Sequence, residues 1–247
     1  MEIQKSSGIV LSSTSFGEAD KIAIIYTKNY GKQKFIFKGL RKSKRRSITV
    51  SEPGTITNLQ YYFHENRNSF IVNEFDIYKQ YYDIRNDLKK IITLYYLLEI
   101  VEKTTGYNDK NKPIFNLIAA GIDTLSKTEY SFHLAVFFTL HLLELHGILP
   151  NLLQCKKCKR SDYNSFSLDH SDFLPICNKC MISIKNKILF SNKIKEFILQ
   201  TMNCKFISIE KAIFPEKEIK NLLLYLTQFI ESYFHIKIKS KSILFAD

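Results

Sequence analysis

The chain has 247 residues, 45% hydrophobic and 24% charged. That is enough apolar material for a buried core and excludes a chain disordered by composition. Thirty-six Lys and Arg against 24 Asp and Glu leave a formal net charge of +12, which favours phosphate-rich or otherwise anionic partners by long-range attraction. The amino-terminal stretch lacks the apolar run of a secretory signal, no window approaches a membrane span, and five cysteines are too few for a disulfide scaffold, so a cytoplasmic protein without membrane association is expected.

Five short strands are predicted first. Gly8 to Ser12, Lys21 to Thr27, Lys32 to Lys38, Thr55 to Phe63 and Ser69 to Tyr78 are rich in β-branched and aromatic residues and are separated by turn signals. The links Lys28 to Gly31 and His64 to Asn68 have hairpin length, which makes strands two and three, and strands four and five, antiparallel neighbours. Phe35 and Phe37 alternate with Lys34, Ile36 and Lys38, and Leu59, Tyr61 and Phe63 alternate with Asn58, Gln60 and Tyr62. Each strand is expected to bury one face. Five strands in about 80 residues fit a small closed barrel of the OB-fold type.

After Tyr82 the period changes from two to 3.6. Ile84, Leu88, Ile91, Ile92, Tyr95, Leu98 and Val101 form one helical stripe ended by Gly106. A second helix carries Ile114, Leu117, Ile118, Ile122 and Leu125, with Pro113 in its first turn. A third, through Leu134, Phe137, Phe138, Leu142 and Leu145, is apolar on its other sides too and is expected to be central. Helical spacing returns at Ile194, Phe197 and Ile198, and again from Pro215 to Tyr233. The fold class is therefore α+β. An OB-fold domain at 1–80 is followed by an α-helical domain at 81–150 and 189–247, interrupted by a cysteine-bearing insertion at 151–188.

Within the insertion, Cys155-Lys156-Lys157-Cys158 and Cys177-Asn178-Lys179-Cys180 stand eighteen residues apart. Two CxxC turns present four thiolates to one ion and complete the closed tetrahedral shell of a structural zinc site. A pair of redox dithiols is the other reading, but it belongs in a βαβ context that this region lacks. Many CxxC knuckles carry Gly after the second Cys, whereas Lys159 and Met181 follow here. Four sulfur ligands leave no position for a reactive water, so the metal is expected to organise a loop. Cys204, beside Phe206 and Ile207, reads as a buried apolar residue.

Lys38, Arg41, Lys42, Lys44, Arg45 and Arg46 place six cations in nine residues between the third and fourth strands. Such a loop can displace counterions from a nucleic-acid backbone, and Arg adds bidentate phosphate contacts. A plain solvated charge run is the alternative. A second basic group, Lys156, Lys157, Lys159, Arg160 and Lys179, surrounds the cysteines and can equally serve as charge compensation of a zinc tetrathiolate. Tyr61, Tyr62 and Phe63 could stack bases, although aromatics at strand spacing are more often core residues. The glycines are too scattered for a P-loop or dinucleotide fingerprint, and neither HExxH nor the deaminase HxE pattern occurs. His141 reads as core packing. Glu18 and Asp20 form a conceivable but partnerless metal-nuclease pair.

The order of parts resembles the RecO family of bacterial recombination mediators. The resemblance rests on Ile9-Val10-Leu11 through Phe16-Gly17-Glu18-Ala19-Asp20, on Thr27 to Lys32 leading into Lys38-Gly39-Leu40-Arg41-Lys42, on Leu142 to Pro150 shortly before Cys155, and on Ile238-Lys239-Ser240-Lys241. It implies a non-enzymatic DNA repair and recombination protein, cytoplasmic and nucleoid-associated, that binds single- and double-stranded DNA and anneals complementary strands. With a RecR-type partner, such proteins assist RecA loading onto DNA coated by single-strand-binding protein, whose tail the family also binds. The resemblance assigns DNA contacts to Lys38, Arg41, Lys42, Lys44, Arg45 and Arg46, and structural zinc to Cys155, Cys158, Cys177 and Cys180. Two other functions fit parts of the chain: a zinc-ribbon adaptor acting through protein partners, and a metal-dependent nuclease using Glu18 and Asp20.

Overall fold

A computed structural model describes residues 3–64, 69–169, 172–181, 188–203 and 214–246. The chain divides into two compact units, Met1–Lys127 and Thr128–Asp247. The first begins with β1 (Gln4–Phe16), β2 (Asp20–Thr27), β3 (Gly31–Phe37), β4 (Ile56–His64) and β5 (Ser69–Lys79). These close into a barrel in the order β1-β2-β3-β5-β4, as expected for an OB-like fold. The two expected hairpins are antiparallel, and β3 and β5 meet in parallel to help close the barrel. The link residues 65–68 lie outside the described residues.

β1 is longer than the alternating pattern suggests. Its first half pairs with β4 and its second with β2, with a register shift between Val10 and Ser12. Such a shift bends a strand, which lets one strand serve two neighbours around a tight barrel. The barrel core contains Val10, Ala23, Ile25, Phe35, Phe37, Leu59 and Tyr61. The Phe35 and Tyr61 rings meet edge to face at 4.9 Å, a favoured arrangement of their quadrupoles. Inward alternation thus holds along most of β4, whereas on β3 only Lys34 is exposed and both faces are largely buried. Phe63, expected to point inward, is 41% exposed, and Ile36, expected opposite the inward rings, is buried, as are Lys32 on its face and Gln33 on the inward face.

The burial of Lys32 and Gln33 has an identifiable cause. The segment after the second helix lies along β3, with Asn108 N–H donating to the Lys32 carbonyl at 2.9 Å and Gln33 Nε2 donating to Asn108 Oδ1 at 3.2 Å. The Lys32 ammonium donates to the Glu102 and Thr105 carbonyls, capping a helix C-terminus with a cation. Gly31 adopts φ +72, and a Cβ there would stand 2.0 Å from the Asp109 carbonyl oxygen, so only glycine fits this approach.

The predicted first helix is two. α1 (Tyr82–Arg85) stops before Asp87, whose carboxylate accepts from the Lys89 and Lys90 amides and starts α2 (Leu88–Thr104). This break changes the helical phase. Leu88, placed on the buried stripe from sequence, is 71% exposed, while Leu94, Leu97 and Leu98 face the core. α3 (Lys112–Lys127) follows its predicted stripe, and Asn111 accepts from the Ile114 amide at its start.

The second unit is built on α4 (Ser131–Leu145), buried on nearly every side as its all-round apolar character predicts. α5 (Asn192–Asn203) and α6 (Glu216–Phe234) pack on it, and a short α7 (Lys241–Leu244) ends the described chain. β6 (Ser165–Leu168), β7 (Pro175–Cys177) and β8 (Phe190–Ser191) form a sheet in the order β7-β6-β8. Phe190 stacks on Phe166 and meets Tyr225 of α6 edge-on. Glu218 in the first turn of α6 accepts from Ser191 N–H and Oγ, which ties β8 to the helix. None of the described helices is long and apolar enough to cross a membrane.

Candidate nucleic-acid interface and cysteine centre

The segment between β3 and β4 carries the six cations, and its path follows from two apolar anchors. Leu40 and Val50 both enter the barrel core, so the loop leaves and re-enters the protein at fixed points. Burying such a side chain contributes about 1.5–3 kcal/mol. Between the anchors the loop closes on itself. Ser43 Oγ accepts from the Arg45 and Arg46 amides, and Arg46 Nη2 donates to the Lys38 carbonyl at 3.1 Å. Lys38, Arg41, Lys42, Lys44, Arg45 and Arg46 are all exposed.

The hairpin between β1 and β2 supports this loop from the side. Gly39 takes φ +64, a conformation glycine adopts cheaply, and its N–H donates to Asp20 Oδ1 at 2.8 Å. The Arg41 amide donates to the Ala19 carbonyl at 2.8 Å, and Arg41 Nη1 to the Gly17 carbonyl at 2.9 Å. Lys42 Nζ pairs with Glu18 at 2.8 Å, but the two side chains are 63% and 88% exposed. So open a pair contributes at most about 1 kcal/mol and yields readily to a competing phosphate. Among the described residues this is the one ion pair of the six cations. Both guanidiniums that are engaged rest on carbonyls and not on carboxylates.

Asp20 therefore stands in the loop's support, while Glu18 pairs loosely at its surface. Among the described residues, the cysteines are the only group of three or more metal-ligating side chains close enough to share an ion. Of the proposed stacking residues, Tyr61 lies in the barrel core, Tyr62 is half-buried, and Phe63 leans on Phe70 at 5.2 Å. The sequence reading missed Asp20, Leu40 and Val50 as parts of the site. Leu40 and Val50 were detectable as isolated apolar residues within a polar stretch.

The four cysteine sulfurs lie within 4.8 Å of one another. Two backbone turns bring them there. Lys159 N–H donates to the Cys155 carbonyl, Cys155 N–H to the Arg160 carbonyl, and Lys156 N–H to the Pro175 carbonyl, fastening the first knuckle to β7. Lys159 has φ +59, the left-handed conformation that glycine commonly supplies at this place. The chain tolerates Lys there at a cost of about 1–2 kcal/mol. Cys177 ends β7, and Asn178–Cys180 form one 3-10 turn.

Cys155 and Cys177 are buried; Cys158 and Cys180 lie further out. Burial pushes the Cys155 thiol up, but hydrogen bonds from the Cys158, Cys177 and Lys157 amides outweigh it and bring it down to about 6. Cys180 is pushed up to about 12, chiefly by its hydrogen bonds with Cys158 and Cys177. Four sulfurs in mutual reach, with amides aimed at Cys155, suit a cation of tetrahedral preference. Around them Lys156 is occupied by Asp169 and Asp172 at 2.7 and 2.9 Å. Lys157 Nζ approaches the Cys180 carbonyl, while Lys159, Arg160 and Lys179 are exposed. Cys204 lies outside the described residues.

His133 is buried in the second unit, and His141 is half-buried with its Nδ1 3.3 Å from Glu144 Oε2. His141 meets Phe137 at 4.4 Å, and its Nε2 lies 3.0 Å from the Thr201 carbonyl. His133 is held below the ordinary imidazole range by burial.

The family model described as Recombination protein O N terminal matches residues 1–81, and Recombination protein O C terminal matches 85–242. Curated relatives extend the match over nearly the whole chain. A protein named DNA repair protein RecO from Caldanaerobacter subterraneus subsp. tengcongensis is 26% identical over 98% of this chain and 97% of its own. One of the same name from Alkaliphilus metalliredigens is 30% identical over 75% of this chain and 76% of its own. Another, from Thermoanaerobacter sp. (strain X514), is 25% identical over 99% and 98%.

Proposed function

Since this chain belongs to the Recombination protein O family, whose curated members are named DNA repair proteins, we propose that it works in DNA repair and recombination by binding single- and double-stranded DNA and annealing complementary strands without an active site. The observation that carries this reading is the loop of six exposed cations, pinned by Leu40 and Val50 in the barrel core and by Asp20 at Gly39. Complementary strands repel one another as polyanions. A fixed cationic surface that screens both lowers the barrier to their encounter and needs no nucleotide cofactor.

In this reading Lys38, Arg41, Lys42, Lys44, Arg45 and Arg46 contact phosphates. Cys155, Cys158, Cys177 and Cys180 hold one structural zinc, which supplies a cross-link between the two knuckles. A RecR-type protein and single-strand-binding protein are the proposed partners, with RecA loading as the downstream step, in the bacterial cytoplasm at the nucleoid. The test of DNA binding is titration of labelled oligonucleotides by the protein and by an Arg41→Ala, Arg45→Ala variant. Weaker binding of both single and double strands by the variant supports the reading; unchanged affinity overturns the role of the loop.

A further inference from the structure

Phe16 is the last residue of β1 and stands opposite Asp20 in the antiparallel ladder. Residues directly opposite in such a pair project from the same face of the sheet, with Cβ atoms about 5 Å apart. The Asp20 carboxylate on that face holds the Gly39 amide, and Arg46 Nη2 lies 3.6 Å from where a Cβ at residue 39 would stand. The ring therefore belongs to the same surface as the cations. It is 49% exposed, and it makes no ring contact among the described residues. Tyr61, by contrast, is enclosed in the barrel, and Phe63 leans on Phe70.

We propose that Phe16 is a stacking platform for an unpaired base, and that it gives this surface its discrimination between single strands and duplex. The inference rests on the proposed phosphate-binding role of the loop. Cations that track a backbone and an aromatic face beside them are the two elements of sequence-tolerant single-strand binding, because every base has a π-face. In a duplex the bases are already stacked, so the phosphate contacts remain available while the ring has no base to take. A half-exposed phenylalanine among charges also loses apolar contact with water when a base covers it.

The chain contains no tryptophan, so Phe16→Trp places the protein's sole indole at the site. Adding a short oligothymidylate at low salt is expected to quench its emission in parallel with binding followed by anisotropy, and a matched duplex is expected to quench it far less. Phe16→Ala and Phe16→Leu are expected to weaken single-strand affinity roughly 5- to 100-fold, with duplex affinity changed less than about two-fold because the phosphate contacts persist. Emission unchanged at saturation, or single-strand and duplex affinities that fall together or not at all, overturns the platform. If the Arg41→Ala, Arg45→Ala variant loses binding while these tests fail, only the platform falls. If the unaltered protein binds no oligonucleotide, both readings fall.

Discussion

The carboxylate of Asp20 accepts the backbone N–H of Gly39 at 2.8 Å, so an anion in the first hairpin holds the residue from which the cationic loop departs. The neighbouring Glu18 does something different, pairing loosely with Lys42 at the surface. These two acids give opposite predictions. Removing the Asp20 carboxylate takes away negative charge, which by itself tightens a polyanion complex, but it also frees the loop. A hydrogen bond to a part-buried charged acceptor contributes about 1 kcal/mol or more. Asp20→Ala is therefore expected to weaken single-strand binding by about two- to ten-fold, and Asp20→Asn, which keeps the acceptor, to restore it. Glu18→Gln is expected to tighten binding by up to about five-fold. Tighter binding by Asp20→Ala would show that the carboxylate acts only through its charge.

Salt dependence measures the number of phosphates engaged. With single strands, each cation–phosphate contact adds about 0.7 to the slope of log affinity against log salt. Replacing Arg41, Lys42, Arg45 and Arg46 together by Ala is expected to lower the slope magnitude by up to about 2.8. A slope that stays the same while affinity falls would mean that these side chains act through loop structure.

The cysteine centre lies in the second unit and the cationic loop in the first. Elemental analysis of protein prepared without chelator is expected to find about one zinc per chain. Stripping it, or changing Cys155 and Cys177 to Ser, is expected to lower the melting temperature while leaving single-strand affinity at low salt within about two-fold, since the phosphate-binding charges are untouched. Metal-free protein of unchanged stability would remove the structural role.

His133 predicts an acid limb in stability. Burial holds its imidazole below the ordinary 6.5, with weaker opposing contributions from the Phe214 carbonyl and Glu216. Below about pH 6.5 the unfolded chain binds a proton that the folded chain resists, so stability falls as pH drops toward the folded value. His133→Phe, which keeps an aromatic ring near Tyr130 and Phe197, is expected to flatten the loss of stability between about pH 7 and 5. Denaturant titrations across that range would show it; an equal acid limb in both proteins would contradict it.

Legibility followed distance along the chain. The inward side chains of Phe35, Phe37, Leu59 and Tyr61 were readable because a strand writes its burial every second residue, and the cysteine centre because CxxC spacing encodes ligand geometry locally. The burial of Lys32 was not legible because the segment that covers it comes some seventy residues later. Leu88 was misplaced because Asp87 caps a new helix and resets its phase. Asp20 was hidden for a related reason: its partner is a backbone amide nineteen residues away, and a backbone donor leaves no mark in sequence. Phe16 was quoted only as part of a motif, since a ring at a strand end says nothing about which loop folds beside it.

Strand annealing tests the account most directly. Two complementary labelled oligonucleotides are mixed with and without the protein at low salt and without nucleotide, and duplex formation is followed in time. Faster pairing with the unaltered protein, returning toward the spontaneous rate in the Arg41→Ala, Arg45→Ala variant and in rising salt, is the predicted result. Pairing no faster than in buffer, or equally fast with the variant, would contradict it.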